Sequence, residues 1–546
     1  MDKYRKFVFR NIRQNKTQLF ILFLVSITIH IIFILSSIIS ARLIDQLNHY
    51  GVGPIVLIIA LSIGLHLIGG ILSIMNSILQ TKLLMKMKIK ERMNFYSLLQ
   101  KSDYIFLNKS SSADVYQSMF NDIDRIVDFI LCLIITIPIN IIIVVIVLFM
   151  LFTISFELTI ILFLLGVLQN ILIVIFRKKS LNFTNEKMLT EQSAIRTVIE
   201  NFGTHELTLS IGVEDIVLLK IKQLFYDVEK KTIKNTALNT SLYNGVAFFT
   251  KITSIIMIVI GIFLINHGRL TTGSLFIIFS FSGYFTKALQ IFTEVFPTYN
   301  VVNVSFKRYN AMINNEDPYK NSGLKLRFPN YNSIIIENIT FSHKEKALFK
   351  DLYIDIPKGK LTLFYGDNGV GKTTLLKIIK RLYHPCSGRI TMNNINIRDI
   401  CYDEYKKKVI MMNNNDSLIE GSIEENVTMG EDFTREHINY ILDICGVSKF
   451  AERFKYGIKT KVGLRYTMLS AGEKRKVSLA RVLIRTPNVL LLDEPTSHLT
   501  SVDKISIISV IRKYQQDNQT TVIACSHDES FPSVSDVIID LNNCNT

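Results

Sequence analysis

Leu361-Thr362-Leu363-Phe364-Tyr365 runs directly into Gly366-Asp367-Asn368-Gly369-Val370-Gly371-Lys372-Thr373-Thr374. The second stretch satisfies G-x-x-x-x-G-K-[ST], and an apolar strand before it with a helical pattern after it is the setting a phosphate-binding loop requires. Its glycines let the backbone approach closely, while successive N–H groups and the following helix N-terminus receive phosphate oxygens. Gly366 through Thr374 are therefore candidate nucleotide contacts, with Lys372 directed at the β- and γ-phosphates and the Thr373 hydroxyl at Mg2+. The acidic counterpart lies at Val489-Leu490-Leu491-Leu492-Asp493-Glu494. This run reads as a strand buried on both faces. It delivers Asp493 toward Mg2+ at its C-terminal end, where open α/β sheets bind ligands. Glu494 is then the candidate for orienting or deprotonating an attacking water.

The N-terminal half reads differently. The 546 residues are 20% charged, yet mean hydropathy is +0.29. A membrane domain joined to a soluble one explains that combination. Runs long enough to span a bilayer (about 20 residues) fall at 19–41, 54–79, 129–152, 158–176, 246–265 and 274–296. The first is too long for a signal-peptide core and five more follow it. Lys3, Arg5, Lys6, Arg10, Arg13 and Lys16 precede the first run, and the second-to-third and fourth-to-fifth connections are also rich in Lys and Arg. The alternate connections hold Arg42, Arg269 or none. The positive-inside rule places both termini in the cytoplasm of a multi-pass protein of the bacterial cytoplasmic membrane. It also accounts for much of the net charge of +16 without nucleic acid.

The inside connections, Gln80 to Asp128 and Arg177 to Gly245, show helical periodicity and read as rods reaching well into the cytosol. Lys251, Lys287 and Glu294 lie near the cytoplasmic ends of the last two spans, as snorkelling residues or as the lining of a polar cavity. His30, His66 and Asn140 are expected in hydrogen bonds between helices. The six cysteines show no metal-type or disulfide spacing. A polar segment, Asn314-Asn315-Glu316-Asp317-Pro318, separates the halves. The expected organisation is an α-helical transmembrane domain (1–312), a linker (313–330) and an α/β P-loop domain (331–546).

Leu469-Ser470-Ala471-Gly472-Glu473 opens a basic helix about twenty residues before the acidic strand. In that position it resembles the signature motif of ATP-binding cassette (ABC) proteins, which usually has Gly and Gln where Ala471 and Glu473 stand. His527, ending Val522-Ile523-Ala524-Cys525-Ser526, resembles the switch histidine that contacts the γ-phosphate. The resemblance covers the whole chain: 92–128 and 200–214 look like the first and second intracellular loops of type I exporters. It implies ATP and Mg2+, and catalytic roles for Glu494 and His527. It further implies nucleotide contacts from Ser470, Ala471, Gly472 and Glu473. His343 stands where an adenine-stacking aromatic is usual, and Asn414 where a Gln that meets the nucleotide and its metal is usual. Thr500 replaces an expected Asp.

The resemblance implies a homodimer embedded in lipid, with each ATP between one subunit's phosphate loop and the other's signature. Fusion of membrane and cassette parts resembles exporters, so no periplasmic binding protein is expected. Too few residues precede the first span for a leader-cleaving peptidase. General similarity to peptide and bacteriocin exporters makes a small peptide the first expectation for cargo, with lipid or hydrophobic drug as the alternative. A membrane ATPase sensor that moves nothing, or a soluble ATPase acting on nucleic acid, are readings of other classes.

Overall fold

Each apolar run folds into helix, and the connections between runs are where the chain breaks. The computed structural model describes residues 2–46, 52–109, 111–314, 326–343, 346–414, 417–463, 466 and 468–542. The linker residues at 315–318 and the side chains of Lys287, Glu294 and His343 lie outside the described residues. Contacts divide the chain into two units, residues 1–100 with 110–315 and residues 101–109 with 316–546.

The first unit contains α1 (Asp2–Gln14), α2 (Lys16–Gln46) and α3 (Val52–Lys101); the second takes α4 (Tyr104–Lys109). The first resumes with α5 (Ser112–Tyr116), a π turn at Gln117–Asp122, α6 (Ile123–Leu131), a second π turn at Cys132–Thr136, and α7 (Ile137–Ile154). It ends with α8 (Phe156–Gly203), α9 (His205–Ile211), α10 (Glu214–Asn266) and α11 (Thr272–Ile313). Five helices are long and apolar enough to cross a membrane, and α11 adds a shorter apolar stretch at Thr272–Thr286 among its described residues. Neither long connection is the continuous rod the periodicity predicts. The first breaks around Ser102 and Asp103 and again before Ser112, and the second turns at Thr204 and at Gly212, whose φ is 69°.

Polar contacts fix this bundle. Arg10 donates to buried Glu91 at 2.8 Å, joining α1 to α3. Phe7 and Phe95 pack on the Tyr309 ring of α11, with centroids at 5.6 and 5.4 Å. Fully buried Asp122 accepts hydrogen bonds from Ser305 and Arg308, both at 2.8 Å. Antiparallel α8 and α10 share a ladder: the Ser180 hydroxyl donates to Asn239 Oδ1 at 2.5 Å, Thr184 to Asn235 Oδ1 at 2.9 Å, and Lys231 to Thr190 at 2.8 Å. Of the three polar residues expected to bond between helices, only His66 does so, with Nδ1 2.7 Å from Ser36 Oγ. His30 and Asn140 instead donate to carbonyls four residues back in their own helices, where a donor within reach needs no partner helix.

The second unit begins with β1 (Ser333–His343), β2 (Lys346–Pro357), β3 (Leu361–Tyr365) and α12 (Lys372–Ile379). Next come β4 (Ser387–Met392), β5 (Ile395–Asn396), α13 (Tyr402–Lys408), β6 (Val409–Met412) and β7 (Gly421–Ser422). Then α14 (Ile423–Thr428), α15 (Arg435–Ile444), α16 (Val447–Ala451), β8 (Lys461–Val462) and α17 (Ala471–Leu483) follow. The unit ends with β9 (Val489–Asp493), α18 (Ser501–Asn518), β10 (Thr521–Cys525), α19 (Ser530–Val534) and β11 (Val537–Asp540). A parallel sheet in the order β11-β3-β10-β9-β6 stands beside an antiparallel sheet β2-β1-β4-β5. The registers Cys525↔Phe364, Cys525↔Asp493 and Met412↔Leu492 align the C-terminal ends of four parallel strands. Every residue of β9 and β10 is buried, as the apolar run predicts for β9. Helix α4 belongs to this unit, its Tyr104 ring 5.8 Å from that of Tyr383 with the Lys377 ammonium over it.

Candidate nucleotide site

The phosphate loop leaves β3 through backbone that only glycine adopts freely. Gly366, Gly369 and Gly371 have φ of 144°, 87° and 109°. A Cβ on Gly371 would also lie 2.5 Å from the Phe349 ring. Gly371 is the N-cap of α12 and supplies no side-chain acceptor, so the first N–H groups of that helix face outward for an anion.

Three side chains converge on this loop from neighbouring strand ends. The buried Lys372 ammonium donates to the Gly366 and Asp367 carbonyls at 2.7 and 3.0 Å, and to His527 Nε2 at 2.8 Å. Burial pulls its pKa below the usual lysine value, against the attraction of Glu494. The Thr373 hydroxyl donates to Asp493 Oδ1 at 2.7 Å. Glu494 leaves β9 with φ of 48° while its N–H donates to the Cys525 carbonyl at 2.9 Å. That turn puts its carboxylate 3.6 Å from His527 Nε2. Burial raises the Glu494 pKa, and a hydrogen bond from the His527 backbone opposes the rise.

The oxygens of Thr373 and Asp493 form a donor set that suits Mg2+, which prefers hard oxygens and takes few of them from protein when phosphates supply the rest. Among the described residues no cluster of three or more His, Cys, Asp or Glu offers an all-protein metal cage. Asn414 joins the group indirectly: its Oδ1 accepts from Ser497 Oγ at 2.6 Å, just beyond Glu494.

Ser470, Ala471, Gly472 and Glu473 form a different structure. Ser470 and Glu473 make a capping box on α17, each side chain accepting from the other's backbone N–H. The second Glu473 oxygen pairs with Arg453 at 2.6 Å. No hydrogen bond connects these four residues to the phosphate loop among the described residues. A Cβ on Gly472 would meet the Asp503 carboxylate at 2.7 Å. Thr500 caps α18 through Asp503 N–H, so the residue standing in for an expected Asp has a structural task here.

Arg475 is the site residue that motif reading misses. Buried on α17, it donates to the carbonyls of Asn413, Asn414, Pro495 and Asp493 at 2.8–3.3 Å and also to that of Glu494. It thus holds the segment carrying Asn414 against the end of β9. Helical spacing offers the signal, since Gly472, Arg475, Leu479 and Val482 share the buried face.

A family profile described as "ABC transporter" matches residues 349–497, and one described as "ABC transporter transmembrane region" matches residues 19–289. This chain belongs to the ABC transporters. It joins both parts in one polypeptide, as an ATP-hydrolysing translocase of the exporter half-transporter type. Among similar proteins is "Multidrug resistance-like ATP-binding protein MdlA" of Buchnera aphidicola subsp. Baizongia pistaciae. That relative is 26% identical over 465 residues, covering 84% of this chain and 80% of its own. An "ATP-dependent lipid A-core flippase" of Francisella tularensis is 23% identical, covering 88% of this chain and 82% of its own. The solved "Structure of a bacterial Atm1-family ABC exporter with ATP bound" superposes with a TM-score of 0.86 at 18% identity. It covers 97% of this ABC chain and 94% of the other, a likeness of fold.

Proposed function

We propose that this ABC exporter works as a homodimer and moves a lipid or a hydrophobic small molecule out of the cytoplasmic membrane. The observation that carries the ATPase part is the convergence of Lys372, Thr373, Asp493, Glu494 and His527 on one loop. Lys372 and the α12 N-terminus hold the phosphates. Thr373 and Asp493 would hold Mg2+, which would supply charge neutralisation at the phosphates. Glu494 orients the attacking water and takes its proton, and His527 stands beside it toward the γ-phosphate. The signature of a second copy, through Ser470 and Gly472, completes the nucleotide site. Two features support the dimer. The signature lacks bonds to its own phosphate loop, and the second cytosolic turn exposes Phe202, Leu207, Leu209, Ile211, Ile216 and Leu219. Apolar side chains so clustered outside the spans call for a partner surface. In this reading α4 and α9 transmit cassette closure to the membrane helices, and both termini are cytoplasmic.

The printed names of the relatives favour drug-like or lipid cargo over a peptide. The peptide reading rests on general similarity to peptide and bacteriocin exporters and on Lys251, Lys287 and Glu294, the last two with side chains outside the described residues. Proteoliposomes holding the full chain decide the matter, with fluorescent lipids, lipophilic dyes and a peptide pool offered in parallel. ATP-dependent movement of lipid or dye is expected. ATP turnover without movement of any class points to the sensor reading, peptide uptake alone restores the peptide reading, and a species that stays monomeric with ATP overturns the dimer.

A further inference from the structure

Above the hydroxyl–amide ladder, α8 and α10 stop touching closely. At Ser241 and Gly245 the side chains of α10 are too small to reach α8, and a Cβ on Gly245 would meet nothing within 4 Å. The result is a cavity of about 300 Å3, walled by Ile173, Phe176, Leu242, Val246 and Phe249. Gln169 also lines it. That glutamine is 3% exposed, yet its amide forms no hydrogen bond among the described residues. The cavity lies at the cytoplasmic ends of the fourth and fifth spans, with Gln169 about 10 Å deeper than Phe176 by helical rise.

We infer that this slot binds a neutral, largely apolar small molecule carrying one carbonyl or hydroxyl, with that group hydrogen-bonded to the Gln169 amide. The slot is half-open, with Phe176 and Gly245 exposed at its edge, and its 300 Å3 sits at the small end of ligand pockets. Its open side lies along helices long and apolar enough to cross a membrane, where lipid tails take the place of water, and a plain hydrocarbon chain does not satisfy Gln169. A polar group within an apolar ligand does both jobs. The Ser180–Asn239 bond joins α8 to α10 at the ladder end of the slot, and the ligand enters from the membrane side.

Benzophenone is a suitable probe, because it is apolar, has one carbonyl, and inserts into neighbouring C–H bonds under light. Full-length protein in lipid nanodiscs is irradiated with it and the labelled peptides are mapped. Enrichment of label on 169–176 and 238–249 is expected, and Gly245→Leu, which fills the slot, should remove it. Diphenylmethane, the same shape without the carbonyl, should compete about tenfold less well than unlabelled ketone, the scale of one lost hydrogen bond. In Gln169→Leu the two should compete equally, which keeps the test decisive if Gly245→Leu does not fold. Label spread over all lipid-facing helices overturns the inference. So does label that survives Gly245→Leu, or no label because a second copy fills the slot. None of these readouts requires ATP turnover, so the result stands apart from the transport reading.

Discussion

The cassette contains two helix N-termini that begin alike in sequence, each with a glycine and a polar residue, and differ in what satisfies them. Helix α12 starts at Gly371 with no side-chain cap, and its first donors face outward. Helix α17 starts at Ser470 with both partners of a capping box in place and a carboxylate, Glu473, over its positive end. An uncapped N-terminus attracts phosphate through N–H groups and the helix dipole. A carboxylate-capped one has its charge already answered, and here Arg453 neutralises the carboxylate in turn. In the proposed function the first end grips nucleotide directly. The second presents the exposed Ser470 and keeps Gly472 buried against Asp503.

The largest expected effect tests the gripping end. Glu494→Gln should lower ATP turnover by about 10²–10⁴, the range for a general base, while ATP binding measured by titration persists. Retained turnover removes Glu494 from the chemistry. Next in size is the brace that ties α17 to the end of β9. Arg475→Ala leaves several buried carbonyls without donors and should cost roughly 3 kcal/mol of stability, read from denaturant unfolding. A loss well under that shows that water replaces the guanidinium. At the capped end, Glu473→Ala should cost about 1 kcal/mol, whereas Glu473→Gln keeps the box and should stay near wild type in thermal unfolding. Equal losses in both would show that the Arg453 pair, not the cap, carries the contribution.

The smallest effect concerns pH. Burial raises the Glu494 pKa, so the base is lost on acidification sooner than an exposed glutamate would be, and turnover rises as pH climbs through that raised value. An acid limb that falls at the ordinary glutamate value argues that a different group titrates.

Much of the site was legible because its chemistry depends on local order: strand, glycine turn, lysine, hydroxyl, and an acid at the end of another apolar strand. Lys372, Thr373, Asp493, Glu494 and His527 meet as that order requires. Arg475 was not legible as a motif, since it recognises backbone carbonyls and those belong to no residue type. The helices were legible as apolar runs, but the π turns at Gln117–Asp122 and Cys132–Thr136 were not. An extra residue in a helical turn answers to tertiary packing, such as the burial of Asp122 under Arg308, and leaves no periodic trace. Asn140 and His30 show the same limit, because a polar residue in an apolar helix bonds as readily to its own backbone as to a neighbour's.

The bonds joining Ser180 to Asn239, Thr184 to Asn235 and Thr190 to Lys231 have a mechanical meaning. Two helices of 48 and 53 residues, each about 70–80 Å long at 1.5 Å per residue, would slide past one another if only methyl groups met. Riveted at three successive turns, they form a single stiff beam, so a push or twist on its far end arrives with little lost to shear.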